Sequence, residues 1–289
     1  MFEYGLGYLP ELPSHRDHTV RDGLPREFLK AGKVLKPDSV KLQRKFSLAK
    51  KFPPIRNQYS LGACTGFSGV ALGEYIIRNV YGDRTFTGSP LFTYRTTLDE
   101  LGWTGDPGAF LRTTMKSMVL YGIAPEKAWP YRIANLEKDP VTRAWILAQS
   151  FQATEYYRLD DAATSPQELH QRIVANLSAG LPSAFGWPVY PSIAQAAKTG
   201  DVPYPTDDES PTGGHATVFI GWDMDRQIVN KINNTKTVGA YQCRNHWGDD
   251  WGDGGNFWLP FDYVLHGLVK DVWSLASMEW VDRKMFEDV

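Results

Sequence analysis

Acyl transfer by side chains alone needs a nucleophile and a group that moves its proton. This chain has two cysteines and six histidines to supply them. Cys64 stands in RNQYSLGACTGFSG, residues 56–69, where the pattern turns helical: Phe67, Val70, Ala71 and Tyr75 recur at three- and four-residue steps. A thiol attacks a carbonyl only as thiolate, and a helix N-terminus or a nearby imidazolium lowers its pKa. Cys64 at a helix start meets the first condition, and Gly62 is expected to let the chain turn tightly into that helix. Attack creates an oxyanion, which the Cys64 N–H, free at the helix start, can bind. Gln58 lies upstream in a loop that could fold its amide beside that N–H. Taken alone, Gln58 reads as a solvated loop residue.

His215 follows Gly213 and Gly214 and opens the apolar stretch ATVFIGW, so its polar ring stands at the mouth of a buried strand. It is the expected base. His15, His18, His170 and His266 read as solvent-exposed. The second ring nitrogen of a base needs a partner that fixes tautomer and orientation. In YQCRNHW, alternation puts Tyr241, Cys243 and Asn245 on one strand face. An amide among apolar neighbours calls for a polar contact, and an imidazole N–H would satisfy it. Asn245 is therefore the expected orienter, and Trp247 can shield that bond from water.

QYSLGACTGFS, GGHATVFIGW and NHWGDDWGDGGNF, in that order, resemble the papain-like cysteine peptidases, over about residues 50–265 and closest in look to bacterial or viral members without disulfides. SPLFTYR and YGIAPEKAWPY look like connecting segments of the same family. The resemblance implies a cysteine endopeptidase with Cys64 as nucleophile, His215 as base, Asn245 as orienter, Gln58 completing the oxyanion hole and Trp247 covering the Asn245 contact. It implies a peptide or protein substrate and no metal or cofactor. A papain-fold acyltransferase or transpeptidase, or a non-catalytic peptide-binding relative, stands as the alternative. The chain departs from the family at Thr65, where a tryptophan is common, at Leu61, where a disulfide cysteine is common, and at His246, where serine is usual. Alternation along the strand turns His246 away from Asn245, as a surface or packing residue.

Other polar clusters carry plainer readings. Cys243 is expected to pack as a small hydrophobe. Asp249, Asp250 and Asp253 do not fit a calcium-loop spacing and read as a solvated turn. HRDH at 15–18 lacks a third metal ligand.

The elements that must position these groups divide the chain. Residues 1–47, rich in proline, glycine and charge, are expected to form an extended arm on the surface, a pro-segment or a brace. A peptidase domain follows over 48–289. Helices are expected from Cys64 to near Tyr81-Gly82, over Ala109–Tyr121, and after Ser165 as N-cap with Pro166 at the first helical position. The stretches PSAFGWPVY, HATVFIGW, GAYQCRNHW and NFWLP read as strands. Helices early and strands late give an α+β fold of two lobes: a helical one at about 48–150, an antiparallel β-barrel-like one at about 151–289, and the cleft between. With 31 basic and 33 acidic residues the chain carries no basic stripe for nucleic acid. Its start lacks a signal-peptide pattern and no apolar run is long enough for a membrane span, so a cytoplasmic location is expected.

Overall fold

The computed structural model describes residues 4–20 and 43–278; the expected arm at 1–3 and 21–42 and the end of the expected β lobe at 279–289 lie outside them. Helix α1 spans Cys64–Val80, and every residue from Cys64 to Ile77 is buried. A helix buried on all sides forms the wall between other elements. Its small residues make that possible: a Cβ on Gly66 would stand 2.8 Å from the Pro90 carbonyl oxygen, and one on Gly69 would stand 2.7 Å from Met118 Sδ. Helices α2 (Pro90–Leu101) and α3 (Leu111–Leu120) thus pack closely on α1.

Helix α2 was not foreseen, since SPLFTYR read only as a connecting segment. Ser89 caps it by accepting from Phe92 N–H, Pro90 opens it, and Gly102, in the left-handed region, closes it. A short α4 (Thr142–Ala148) precedes the sheet. Helix α5 (Pro166–Ser178) starts as expected, with the Ser165 side chain accepting from Glu168 N–H.

The strands are β1 (Lys45–Ser47), β2 (Ala153–Arg158), β3 (Ser183–Val189), β4 (Gly213–Val229), β5 (Lys236–Arg244), β6 (Asn256–Pro260) and β7 (Lys270–Met278). They form one antiparallel sheet in the order β2-β7-β3-β4-β5-β6, with β1 added on β4. The sheet is open, which corrects the barrel-like expectation. Closure would require its edges to pair with each other, but other main chain already occupies them: Arg158 N–H of β2 donates to the His18 carbonyl at 2.7 Å, and Trp258 N–H of β6 donates to the Gly200 carbonyl at 2.8 Å. A short helix α6 (Asp262–Leu265) follows β6.

Two apolar clusters fill the interior. One joins Phe67 of α1 to Phe92, Leu98 and Trp129; the other joins Val70 and Leu72 of α1 to Phe185, Trp187, Phe219, Trp222 and Trp273 of the sheet. Each buried aromatic of this size stabilises by roughly 2–3 kcal/mol. Helix α1 is common to both clusters, so its N-terminus is held where helices meet sheet.

Candidate active site

The sulfur side is built on the first turn of α1. Ala63, at the cap position, offers no side-chain hydrogen bond, and no acidic residue lies in the first turn. The N-terminal N–H groups and their positive field are therefore left for another anion. The Asp106 carboxylate pins the approach, accepting from Gly62 N–H at 2.9 Å and from Tyr94 OH at 2.7 Å. Gly62 itself is not in a positive-φ conformation. Its value is room: a Cβ there would stand 3.2 Å from Gly7 Cα and from Asp106 Oδ1. Gln58 is buried rather than solvated. Its N–H donates to the His246 carbonyl at 2.8 Å, and its carbonyl accepts from Tyr131 OH at 2.7 Å. Its amide nitrogen donates to the Leu61 carbonyl at 2.7 Å and to the Gly5 carbonyl at 2.9 Å.

The imidazole side is built on β4 and the end of β5. His215 is the third residue of β4, opposite Trp187 of β3, and is fully buried. Its Nε2 is 2.9 Å from Asn245 Oδ1, and the Trp247 ring stacks on it with centroids 4.5 Å apart. His215 Nδ1 has no hydrogen-bond partner among the described residues. The two sides meet through Ala216: its N–H, next along the chain from His215, lies against the Cys64 sulfur.

Burial governs the charge state of this pair. It pushes the Cys64 thiol up to about 11, although the N–H groups of Ala216, Gly7, Thr65 and Cys64 favour the thiolate. It pushes His215 down to about 3, against the pull of the Asn245 bond. Burial thus disfavours the charged form of both groups while residues 4–9 are in place.

The arm closes it. Tyr4 stacks on Trp247 with centroids 5.0 Å apart. Gly5 N–H donates to the Tyr59 carbonyl at 2.9 Å, Ala109 N–H to the Gly7 carbonyl at 2.7 Å, Tyr8 N–H to the Gly214 carbonyl at 3.0 Å, and Leu9 N–H to the Ala109 carbonyl at 3.1 Å. Glycine at 5 and 7 is a steric requirement: a Cβ on Gly5 would stand 2.1 Å from the Leu61 carbonyl oxygen, and one on Gly7 would stand 1.9 Å from that of Gly62. The Tyr8 ring fills a slot against Gly186, where a Cβ would come within 1.9 Å of it. Its hydroxyl donates to Asp271 Oδ2 at 2.5 Å. The Gly7 N–H is directed at the Cys64 sulfur.

Of the two readings of His246, surface or packing, the structure shows the packed one, but with polar partners that the sequence did not suggest. Strand β5 ends at Arg244, so alternation no longer applies, and the Asn245 side chain accepts from His246 N–H at 2.9 Å. His246 is buried against Phe67 and His215, with Nδ1 hydrogen-bonded to Gln58 Oε1 and Nε2 2.9 Å from the Ala216 carbonyl oxygen. His170 is half-buried, with Nδ1 2.6 Å from Tyr241 OH, and is not a solvent-exposed residue. His15, His18 and His266 are exposed. Cys243 is buried with a free thiol. Asp17 of HRDH takes two hydrogen bonds from Arg112, at 2.7 and 2.8 Å. Tyr8, Gly5 and Gly7 went unmarked in the sequence; the signal was there in GLG, two glycines with no turn to serve.

A buried thiol at a helix start and a buried, amide-paired imidazole on a strand, within an α+β fold, are the parts of a cysteine-type peptidase. The chain belongs to the papain family: the profile described as papain family cysteine protease matches residues 37–264. It is 28% identical over 290 residues to an uncharacterized peptidase C1-like protein of Acanthamoeba polyphaga mimivirus, covering 94% of this chain and 87% of that one. Among solved structures it resembles xylellain, a cysteine protease from Xylella fastidiosa, with TM-score 0.73 and 26% identity over 96% of this chain and 97% of that one. It shares the fold of digestive procathepsin L2 from Tenebrio molitor larval midgut, with TM-score 0.66 and 18% identity over 94% of this chain and 78% of that one. Among the described residues no helix is long and apolar enough to cross a membrane.

Proposed function

We propose that the chain is a cysteine endopeptidase acting through Cys64, His215 and Asn245, and that residues 4–9 hold it closed. The observation that carries the catalytic reading is the His215–Asn245 bond beside a sulfur that accepts from the next N–H along β4. When the arm leaves, water reaches the site and the desolvation that keeps both groups neutral is relieved. The Cys64 proton then passes to His215 Nδ1, giving thiolate and imidazolium. The thiolate attacks the substrate carbonyl carbon, and its oxygen takes up the negative charge between the Cys64 N–H and the Gln58 amide nitrogen. His215 gives its proton to the departing amine as the C–N bond breaks, leaving an acyl-thioester on Cys64. His215 then takes a proton from water, whose oxygen attacks the thioester and regenerates the thiol. Asn245, bonded to the far ring nitrogen, keeps Nδ1 aimed at the sulfur throughout.

The docked arm supports an extended peptide as substrate, because its main chain already pairs with Ala109 and Gly214 on opposite sides of the cleft. A substrate side chain entering the Tyr8 slot would meet Asp271 at its floor. The reading is tested with purified Cys64→Ala protein. Peptide hydrolysis should fall at least about 10³-fold with the fold retained by circular dichroism. His215→Ala should lose nearly as much and Asn245→Ala less. A Cys64→Ala protein that still cleaves peptides contradicts the proposal.

A further inference from the structure

His246 is not needed to fill a step in the chemistry above, yet it is buried between the two halves of the site. One nitrogen reaches Gln58 Oε1 and the other lies 2.9 Å from the Ala216 carbonyl oxygen. Both partners are acceptors. The Gln58 amide cannot be turned to offer its nitrogen instead, because that nitrogen already donates to the Leu61 and Gly5 carbonyls, and the turned amide would set oxygen against both. A neutral imidazole has one N–H, so the Gln58 contact is a hydrogen bond only if Nδ1 carries it.

We propose that His246 is a positioning residue for the oxyanion hole: its Nδ1–H holds the Gln58 amide oxygen, and so turns the amide nitrogen toward the thiol side. This rests on the peptidase reading above. The Gln58 main chain is fixed separately, by its N–H on the His246 carbonyl and by Tyr131 OH on its own carbonyl. The side-chain amide is also held by the Leu61 and Gly5 carbonyls; when the arm leaves, the Gly5 bond goes with it, and the Nδ1 bond then acts with the Leu61 bond against the rotation that would swap donor for acceptor. The groups facing His246 are His215 on β4, Arg244 on β5, Glu74 on α1 and Arg56 in the preceding loop. Burial and the positive groups keep the ring from gaining a second proton easily. The Nδ1–H tautomer is therefore the neutral form that serves Gln58, at the expense of the Ala216 contact.

The test combines turnover with a spectrum. Full-chain His246→Phe keeps the ring packed on Phe67 but has no donor. Its kcat, referred to sites titrated by an irreversible thiol reagent, should fall roughly tenfold with KM within about twofold, a fraction of the loss seen when an oxyanion donor is deleted outright. His246→Asn, whose amide nitrogen sits near the place of Nδ1, should recover most of that loss. In a Gln58→Ala background the Phe substitution should change kcat less than about twofold. Unchanged kcat in His246→Phe, or the same tenfold loss without Gln58, overturns the proposal. Ring-nitrogen NMR of His246 in the Cys64→Ala chain needs no turnover: a protonated Nδ1 is expected, and a proton on Nε2 alone overturns it. Because that spectrum is independent of catalysis, failure of the peptidase reading, seen as cleavage by Cys64→Ala, is separately recognisable.

Discussion

Residues 4–9 and residues 11–18 belong to one arm but are held by different physics. The first stretch lies on the site through main-chain hydrogen bonds and through the lack of side chains at Gly5 and Gly7. The second is held by charge. Glu11 and Asp17 both pair with Arg112, Arg112 also donates to the Leu12 carbonyl, and the buried Arg158 reaches Asp17 at 3.5 Å and Asp271 at 2.8 Å. The contrast divides the proposed closure in two: shape places the main chain over the sulfur and supplies most of the hold, and the charged contacts add a smaller share.

Enlarging the shape-matched stretch should do most to break this arrangement. Gly7→Ala places a methyl where 1.9 Å separates it from the Gly62 carbonyl oxygen. Overpacking of this kind costs about 1–3 kcal/mol, so resting peptide hydrolysis should rise roughly 10- to 100-fold in the full chain. A variant with unaltered resting activity would mean the arm does not limit turnover.

Acid should act next. With the arm docked, His215 stays neutral until about pH 3 and the Cys64 thiol keeps its proton to about pH 11. The released thiolate and imidazolium together hold the same one proton as the docked pair, so release is insensitive to pH near neutrality. Acid favours release once it protonates the freed thiolate, and alkali favours it once it takes the proton from the freed imidazolium, by up to about tenfold per unit in each direction. Amide-exchange protection of Gly5 and Tyr8, corrected for intrinsic rates, should be greatest near neutral pH; a protection that grows on acidification would refute the linkage.

The charged stretch should give the smallest change. Arg112→Ala removes the partner of Glu11 and Asp17 from a partly exposed site, where such pairs contribute about 1 kcal/mol or less. Resting activity should rise about threefold, and added salt should narrow the gap between variant and parent. An effect larger than that of Gly7→Ala would reverse the division drawn between the two stretches.

Much of the candidate site could be proposed from the sequence because its chemistry is local there. A cysteine at a helix start, a histidine after two glycines and an asparagine ending an apolar strand each announce themselves within a few residues. Strand β6 was read to its limits, and Ser165-Pro166 gave the start of α5, as Ser89-Pro90 could have given that of α2. What stayed hidden depends on partners far along the chain. Asp271 matters through Tyr8, and nothing near either residue signals the other. The polar contacts of His246 were missed because period-two alternation holds only while a strand lasts, and β5 stops two residues earlier. The Gly5 and Gly7 requirement exists only against the Leu61 and Gly62 carbonyls, which folding alone brings into contact.

Reaction of Cys64 with iodoacetamide at pH 7, followed by mass spectrometry beside Cys243 in the same molecule, reads the state of the sulfur directly. Both thiols are buried and free. A sulfur sealed and kept neutral by residues 4–9 should react slowly at both positions in the parent chain. In Gly7→Ala, Cys64 should react at least about tenfold faster while Cys243 stays unchanged. Rapid labelling of Cys64 in the parent chain, with no gain in Gly7→Ala, would contradict the claim that the arm holds this thiol in reserve.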